Sequence, residues 1–161
     1  MTPEDRALKQ LRLAKVTSPQ VIALGLHVVE LQPRVLLKVP YREDLIGEPD
    51  TGVLAGGVIT TLLDTTCGWA VALELEEMTS IATLDLRIDY MRAATPGKDV
   101  FATAECYKIT RSIAFVRAHA YDADPQDPVA AAQGTFILDS NAGRAAGANL
   151  RSRGEAGGAA A

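Results

Sequence analysis

One segment constrains this chain more than any other. From Val58 to Leu75 it reads VITTLLDTTCGWAVALEL, opened by Gly56-Gly57. Val58, Leu62, Thr65/Thr66 and Trp69 follow helical spacing, while Ile59, Leu63, Ala70 and Leu73 cover a second face. A helix that is apolar nearly all round is buried on several sides. No other element in the sequence has this character, so the rest of the chain must wrap it. About two turns in, between Leu62-Leu63 and Thr65-Thr66, stands a charge, Asp64.

After Met78-Thr79-Ser80 the period changes to two. Leu84, Leu86, Ile88 and Tyr90 alternate with Thr83, Asp85, Arg87 and Asp89, the clearest strand in the sequence. A turn over 94–99 leads to predicted strands Val100–Ile109 and Ile113–Tyr121, joined by the tight turn Thr110–Ser112. The Asp/Pro-rich loop Asp122–Pro128 precedes a last strand, Val129–Leu138. Upstream, Val21–Leu31 and Arg34–Val39 read as a hairpin across Gln32-Pro33, and Pro40–Leu54 as an irregular loop. Thr2 and Pro3 suit the start of a short amphipathic helix over 3–15, which Ser18-Pro19 ends.

The order predicts an α+β fold: a curved antiparallel sheet of five or six strands around one long central helix, with the last four strands in meander. Such a sheet leaves edges and one face open, so self-association is expected. The chain divides into an N-terminal helix and linker (1–19), one domain (20–139) and an Ala/Gly/Arg-rich tail (140–161) expected to be disordered.

At 161 residues, 48% of them hydrophobic, the chain can bury one core. A net charge of −4 gives no support for a nucleic-acid binder, which needs a basic face. The first fifteen residues carry Glu4, Asp5, Arg6, Lys9, Arg12 and Lys15 and no apolar stretch, unlike a signal peptide. Asp64, several Thr, Gly68 and Glu74 make the long helix too polar for a membrane span. A soluble cytoplasmic protein is the expectation. Cys67 and Cys106 form no C-x-x-C pair and read as buried thiols of a reducing compartment. His27 and His119 lie in separate strand patterns, and no metal-ligand spacing, nucleophile elbow, P-loop or dinucleotide fingerprint occurs. Neither metal nor bound cofactor is expected.

Three places could carry chemistry. Burying a carboxylate without partners costs several kcal/mol, and Asp is poor in a helix interior. Asp64 is therefore either bonded to nearby Thr hydroxyls or to an amide across an interface, or it is a general base, nucleophile or acid–base group. Ala55-Gly56-Gly57 opens the helix. It is either a simple turn into the helix or a place where free N–H groups and the positive dipole end polarise a ligand carbonyl. Thr110-Arg111-Ser112, with Arg92 and Lys98 near in sequence, is either a solvated hairpin or a phosphate-holding turn.

The stretch from Gly52 to Asp64, GVLAGGVITTLLD, resembles the H-G-G-x-x-x-x-L-x-D segment of hotdog-fold thioesterases of the phenylacetate-degradation type. The similarity continues through Leu84–Arg92, Pro96–Val100, Arg111–Phe115 and Ala131–Phe136, and covers roughly residues 20 to 138. The resemblance implies a hotdog fold and an acyl-CoA thioesterase working as a dimer or dimer of dimers, with active sites between subunits. It places the catalytic carboxylate on Asp64 and the polarising amide on Gly56, and Thr83 is the nearest match to the small catalytic hydroxyl residue that often follows on the next strand. Ala55 and Gly57 then line the substrate site, and Arg111, Ser112 and Arg92 hold CoA phosphates. CoA enters only as part of the substrate. The family's His falls on Ala55, and its upstream Asn has no match in Glu48-Pro49-Asp50. That departure motivates one rival, an acyl-CoA or small-ligand binding protein that has lost hydrolysis; a third class, a dehydratase or hydratase on the same fold, usually carries a His near the carboxylate, and this helix has none.

Overall fold

A computed structural model describes residues 18–76 and 79–138. The expected helix over 3–15 and the tail lie outside these residues. The first described element departs from expectation. Pro19–Leu24 is a short helix, α1, where a strand is expected from Val21 onward. Ser18 caps it by accepting from Val21 N, Pro19 occupies the first turn, and Gly25 closes it at φ 68°. Ser-Pro here starts a helix, by the same cap logic applied at Thr2-Pro3.

Strands β1 (His27–Glu30) and β2 (Val35–Val39) form the expected hairpin. The expected irregular loop holds a 3-10 turn, Glu43–Leu45, and a small hairpin, β3 (Ile46–Glu48) with β4 (Val53–Leu54). The long helix, α2, spans Gly56–Glu74. Four strands come after it: β5 (Ile81–Tyr90), β6 (Val100–Ile109), β7 (Ile113–Tyr121) and β8 (Ala130–Leu138).

The six-stranded sheet runs in the order β1-β2-β6-β7-β8-β5, all neighbours antiparallel. Only β6-β7-β8 is a meander. β5 crosses to the far edge beside β8, which corrects the expected four-strand meander. The small hairpin β3-β4 stands apart from this sheet.

The core lies between α2 and the inner sheet face. That face is built from small side chains: Ala102 and Ala104 on β6, Ala114, Ala118 and Ala120 on β7, Ala130 and Ala132 on β8. Small residues let the helix sit close, and Leu62, Leu63, Cys67 and Val71 fill the gap from its side, all at 0% exposure. By length and hydropathy alone α2 could cross a bilayer, but more than half of it is buried inside this domain. It is a core helix. It is not buried all round, however. Gly56, Gly57 and Thr60 are exposed, and Thr61, Asp64, Thr65 and Gly68 only partly covered. The sheet leaves this stripe open.

Candidate active site

α2 begins without a side-chain cap. Ala55 stands at the N-cap position with φ −60° and ψ 136°, and its side chain accepts nothing. Replacing a Ser, Thr, Asp or Asn cap by Ala forgoes about 1 kcal/mol. Ala55 is instead held by its own backbone, its N donating to Leu45 O (2.9 Å) and its O accepting from Val58 N (2.9 Å). Gly47 of β3 packs so closely that a Cβ there would lie 2.7 Å from Ala55 Cα. The small hairpin thus fixes the start of the helix. The first N–H groups of a helix have no intrahelical partner. Among the described residues those of Gly56 and Gly57 have no hydrogen-bond partner, both glycines are exposed, and beside Gly57 nothing lies within 4 Å of where a side chain would begin.

Asp64 is held from the sheet. Thr83 Oγ1 donates to Asp64 Oδ1 at 2.8 Å. Strict alternation along β5 would turn Thr83 to the outer face, away from Leu86, Ile88 and Tyr90. A bulge prevents this. Thr83 pairs with Phe136 and Asp85 with Thr135, leaving Leu84 as the extra residue. Thr83 therefore faces α2. Gly134 lies beside this irregularity, where a Cβ would come within 2.8 Å of Asp85 O.

Tyr90, at the other end of β5, is by periodicity only one more apolar position of the strand. In the structure its Oη donates to Gly56 O (2.8 Å) and lies 2.7 Å from Thr60 Oγ1. Only its place at the end of an inward-facing alternation hints at a contact with the helix start.

The basic candidates separate. Arg111 and Ser112 are exposed on the β6–β7 turn. This turn sits at the Thr83 end of β5, because Leu138 N donates to Ser112 O (2.8 Å) and Leu138 pairs with Ile81. Arg92 is committed elsewhere. Its Nη1 and Nη2 donate to Asp122 (3.0 and 2.8 Å), Nη2 also to Asp127 O (2.7 Å), and Nε lies 3.0 Å from Asp127 Oδ2. It pins the loop before β8, which leaves it no donor face for a phosphate. Lys98 is exposed on the turn after β5.

Neither histidine lies at the open stripe. His119 points outward beside Tyr121, and burial, then Arg34, push its pKa down. His27 lies on β1, at the opposite edge of the sheet. Burial, then the neighbouring Asp64 carboxylate, raise the Cys67 thiol to about 12. Among the described residues no three His, Cys, Asp or Glu side chains cluster to hold a metal ion.

One helix wrapped by a curved antiparallel sheet, here with an aspartate anchored on the helix and an uncapped Gly-Gly start, defines a hotdog domain. Comparison with known proteins agrees. The family model described as "Thioesterase superfamily" matches residues 51–129. A curated protein of Halobacterium salinarum, assigned provisionally by its name to the esterases, is 33% identical over 109 residues, 62% of this chain and 70% of its own. A Pseudomonas aeruginosa protein of known crystal structure is 41% identical and covers 83% of this chain and 96% of its own, with a TM-score of 0.68. A point mutant of the phenylacetic acid degradation protein PaaI from Thermus thermophilus is 26% identical, covering 75% and 99%, with a TM-score of 0.65. The chain belongs to the thioesterase superfamily, and its function is of the thioester-hydrolase kind.

Proposed function

We propose that this chain hydrolyses an acyl-CoA thioester in a groove shared by two copies. The observation that carries this reading is the pairing of an uncapped, open helix start with a sheet-anchored aspartate on the same open stripe. Gly56 and Asp64 are eight residues apart, about 12 Å along the helix axis at 1.5 Å per residue. One thioester cannot touch both within one protomer. The ten-residue strand β5 is an open edge, and exposed hydrophobic residues Leu84 and Met91 lie on and just beyond it. A two-fold axis through this edge would set the Gly56 end of one copy beside the Asp64 end of the other. The arginine turn sits at that same end.

In this groove the thioester oxygen sits at the Gly56 N–H, where helix dipole and free donor stabilise the negative charge that develops. The partner's Asp64, oriented by Thr83, either takes the proton of an attacking water or attacks the carbonyl carbon itself. The carbonyl carbon–sulfur bond then breaks and CoA leaves as the thiolate; where Asp64 attacks directly, water next hydrolyses the mixed anhydride, releasing the acid and restoring the carboxylate. Arg111 and Ser112 hold its phosphates, and Ala55 and Gly57 line the passage. This chemistry requires neither metal nor bound cofactor.

The test is release of free thiol from a panel of acyl-CoAs by wild type and Asp64→Ala. Undiminished turnover in the variant removes Asp64 from the reaction. Ala55, in place of an imidazole, favours a second reading: a non-catalytic acyl-CoA binder. That reading requires tight binding without thiol release at any chain length.

A further inference from the structure

Gly56 O has more partners than a helix carbonyl needs. As the first carbonyl inside α2 it faces the Thr60 N–H in the usual i to i+4 pattern. Two hydroxyls join it. Tyr90 Oη lies at 2.8 Å and Thr60 Oγ1 at 3.1 Å, with the two hydroxyl oxygens 2.7 Å apart. Whichever hydroxyl donates to the other, at least one proton is left for the carbonyl. Thr60 reaches it from within the helix. Tyr90 comes from the sheet, thirty-four residues away.

The Gly56 carbonyl and the Gly57 N–H belong to one peptide group. Hydrogen bonds accepted at the oxygen shift electron density away from the nitrogen and make the N–H a stronger donor. That N–H lies at the uncapped start of α2, beside open space. Tyr90 is half exposed, so burial of its ring does not explain its place over the helix start.

We infer that Tyr90 is a positioning residue which, with Thr60, polarises the Gly56–Gly57 peptide and makes the Gly57 N–H a second donor to the thioester oxygen. This rests on the hydrolase reading above. It assigns Tyr90 an effect on the developing oxyanion and none on binding of CoA. β5 then positions both halves of the chemistry: Thr83 at one end aims Asp64, and Tyr90 at the other strengthens the amides.

The experiment is Tyr90→Phe, which keeps the ring and removes the hydroxyl. Its first readout is the Gly57 amide proton resonance in the free protein. It should move upfield, while amides of β6 and β7 stay in place. The second is steady-state hydrolysis of an acyl-CoA that the wild type accepts. kcat should fall about tenfold, as for a weakened oxyanion donor, with KM within about twofold of wild type. An unmoved Gly57 resonance overturns the inference, as does a kcat within about twofold of wild type in a folded variant. Equal losses in kcat and thermal stability, with the β6 and β7 amides also shifted, assign Tyr90 a merely structural role and overturn it too. If the wild type hydrolyses no acyl-CoA, the hydrolase reading falls with it. The polarisation of the Gly57 amide is then decided by the resonance alone.

Discussion

The proposed shared groove makes a prediction that a single-chain site cannot imitate. Gly56→Pro deletes the proposed carbonyl donor while leaving the fold a good residue. Gly56 is the first helical position, where Pro is favoured and the lost N–H has no helix partner. Ala55 already holds the extended backbone that a following Pro demands, at φ −60° and ψ 136°. A Cβ at Gly56 would stand 3.6 Å from Tyr90 Oη, an ordinary contact. Stability should therefore hold, while kcat falls by about 10²–10³, the usual loss for one oxyanion donor. Asp64→Ala loses the carboxylate and should fall by about 10²–10⁴.

Mixing the two dead proteins is the decisive step. In a heterodimer, one groove pairs the intact Gly56 of the Asp64→Ala subunit with the intact Asp64 of the Gly56→Pro subunit. The other groove has lost both. Random exchange at equal amounts makes half the dimers mixed, each with one working groove, so about a quarter of wild-type activity returns. Differently tagged subunits, exchanged in mild denaturant and purified in tandem, would be assayed by thiol release. Purified heterodimers with no activity above either parent would refute the two-protomer site.

Three further outcomes rest on the same geometry. Ala55→Ser should cap α2, raising stability by about 1 kcal/mol while its hydroxyl competes for the open N–H groups and lowers kcat; thermal melts and thiol release measured on one preparation check the trade. Gly134→Ala forces a Cβ toward Asp85 O, so it should cost about 1–3 kcal/mol and, by disturbing the bulge, lower activity more than Thr83→Val does at equal stability. The Asp122 side chain is 2% exposed, and hydrogen bonds from Arg92 hold its carboxyl well below the usual range. Because the folded-state pKa is depressed, the stability it contributes is present above the unfolded carboxylate value of about 3.9 and is lost as pH falls below it. Asp122→Ala should cost about 3 kcal/mol at neutral pH, and the gap from wild type should narrow in acid melts.

The sequence makes some of this legible because local signals are strong where one period dominates. Val100–Ile109 and Ile113–Tyr121 emerge with the bounds expected of them. α2 begins two residues before the expected Val58 and ends one before Leu75, since Gly-Gly tolerates a first helical turn that periodicity does not count. Other features carry no local mark. The pairing of β5 with β8 joins residues about fifty apart, and nothing in either strand names its neighbour. The helix α1 is hidden because Val21, Ile22 and Leu24 are strand-like side chains, and the cap at Ser18 outweighs them. Arg92 resembles a phosphate ligand in sequence because its partners Asp122 and Asp127 lie thirty residues or more downstream. The open stripe of α2 is silent because Gly and Thr, unlike Lys or Glu, do not announce an uncovered face.

The bulge in β5 accounts for a side chain, Thr83, that strict periodicity would place on the other face of the sheet. Alternation assigns Thr83 to the side of Asp85 and Arg87, where it could never meet Asp64. One extra residue at Leu84 reverses the facing of the residues before it and leaves those after it unchanged. Tyr90, Ile88 and Leu86 keep their inward aim, and Thr83 joins them. Gly134 is the residue on the neighbouring strand whose missing side chain makes room for the distortion. A carboxylate on a buried helix needs a hydroxyl from the sheet to hold it, and a regular strand would have supplied Leu84 at that place. The irregularity is thus the local event that turns a packing strand into one that orients the proposed reacting group. It does so at the edge of the sheet, where a second copy can complete the groove.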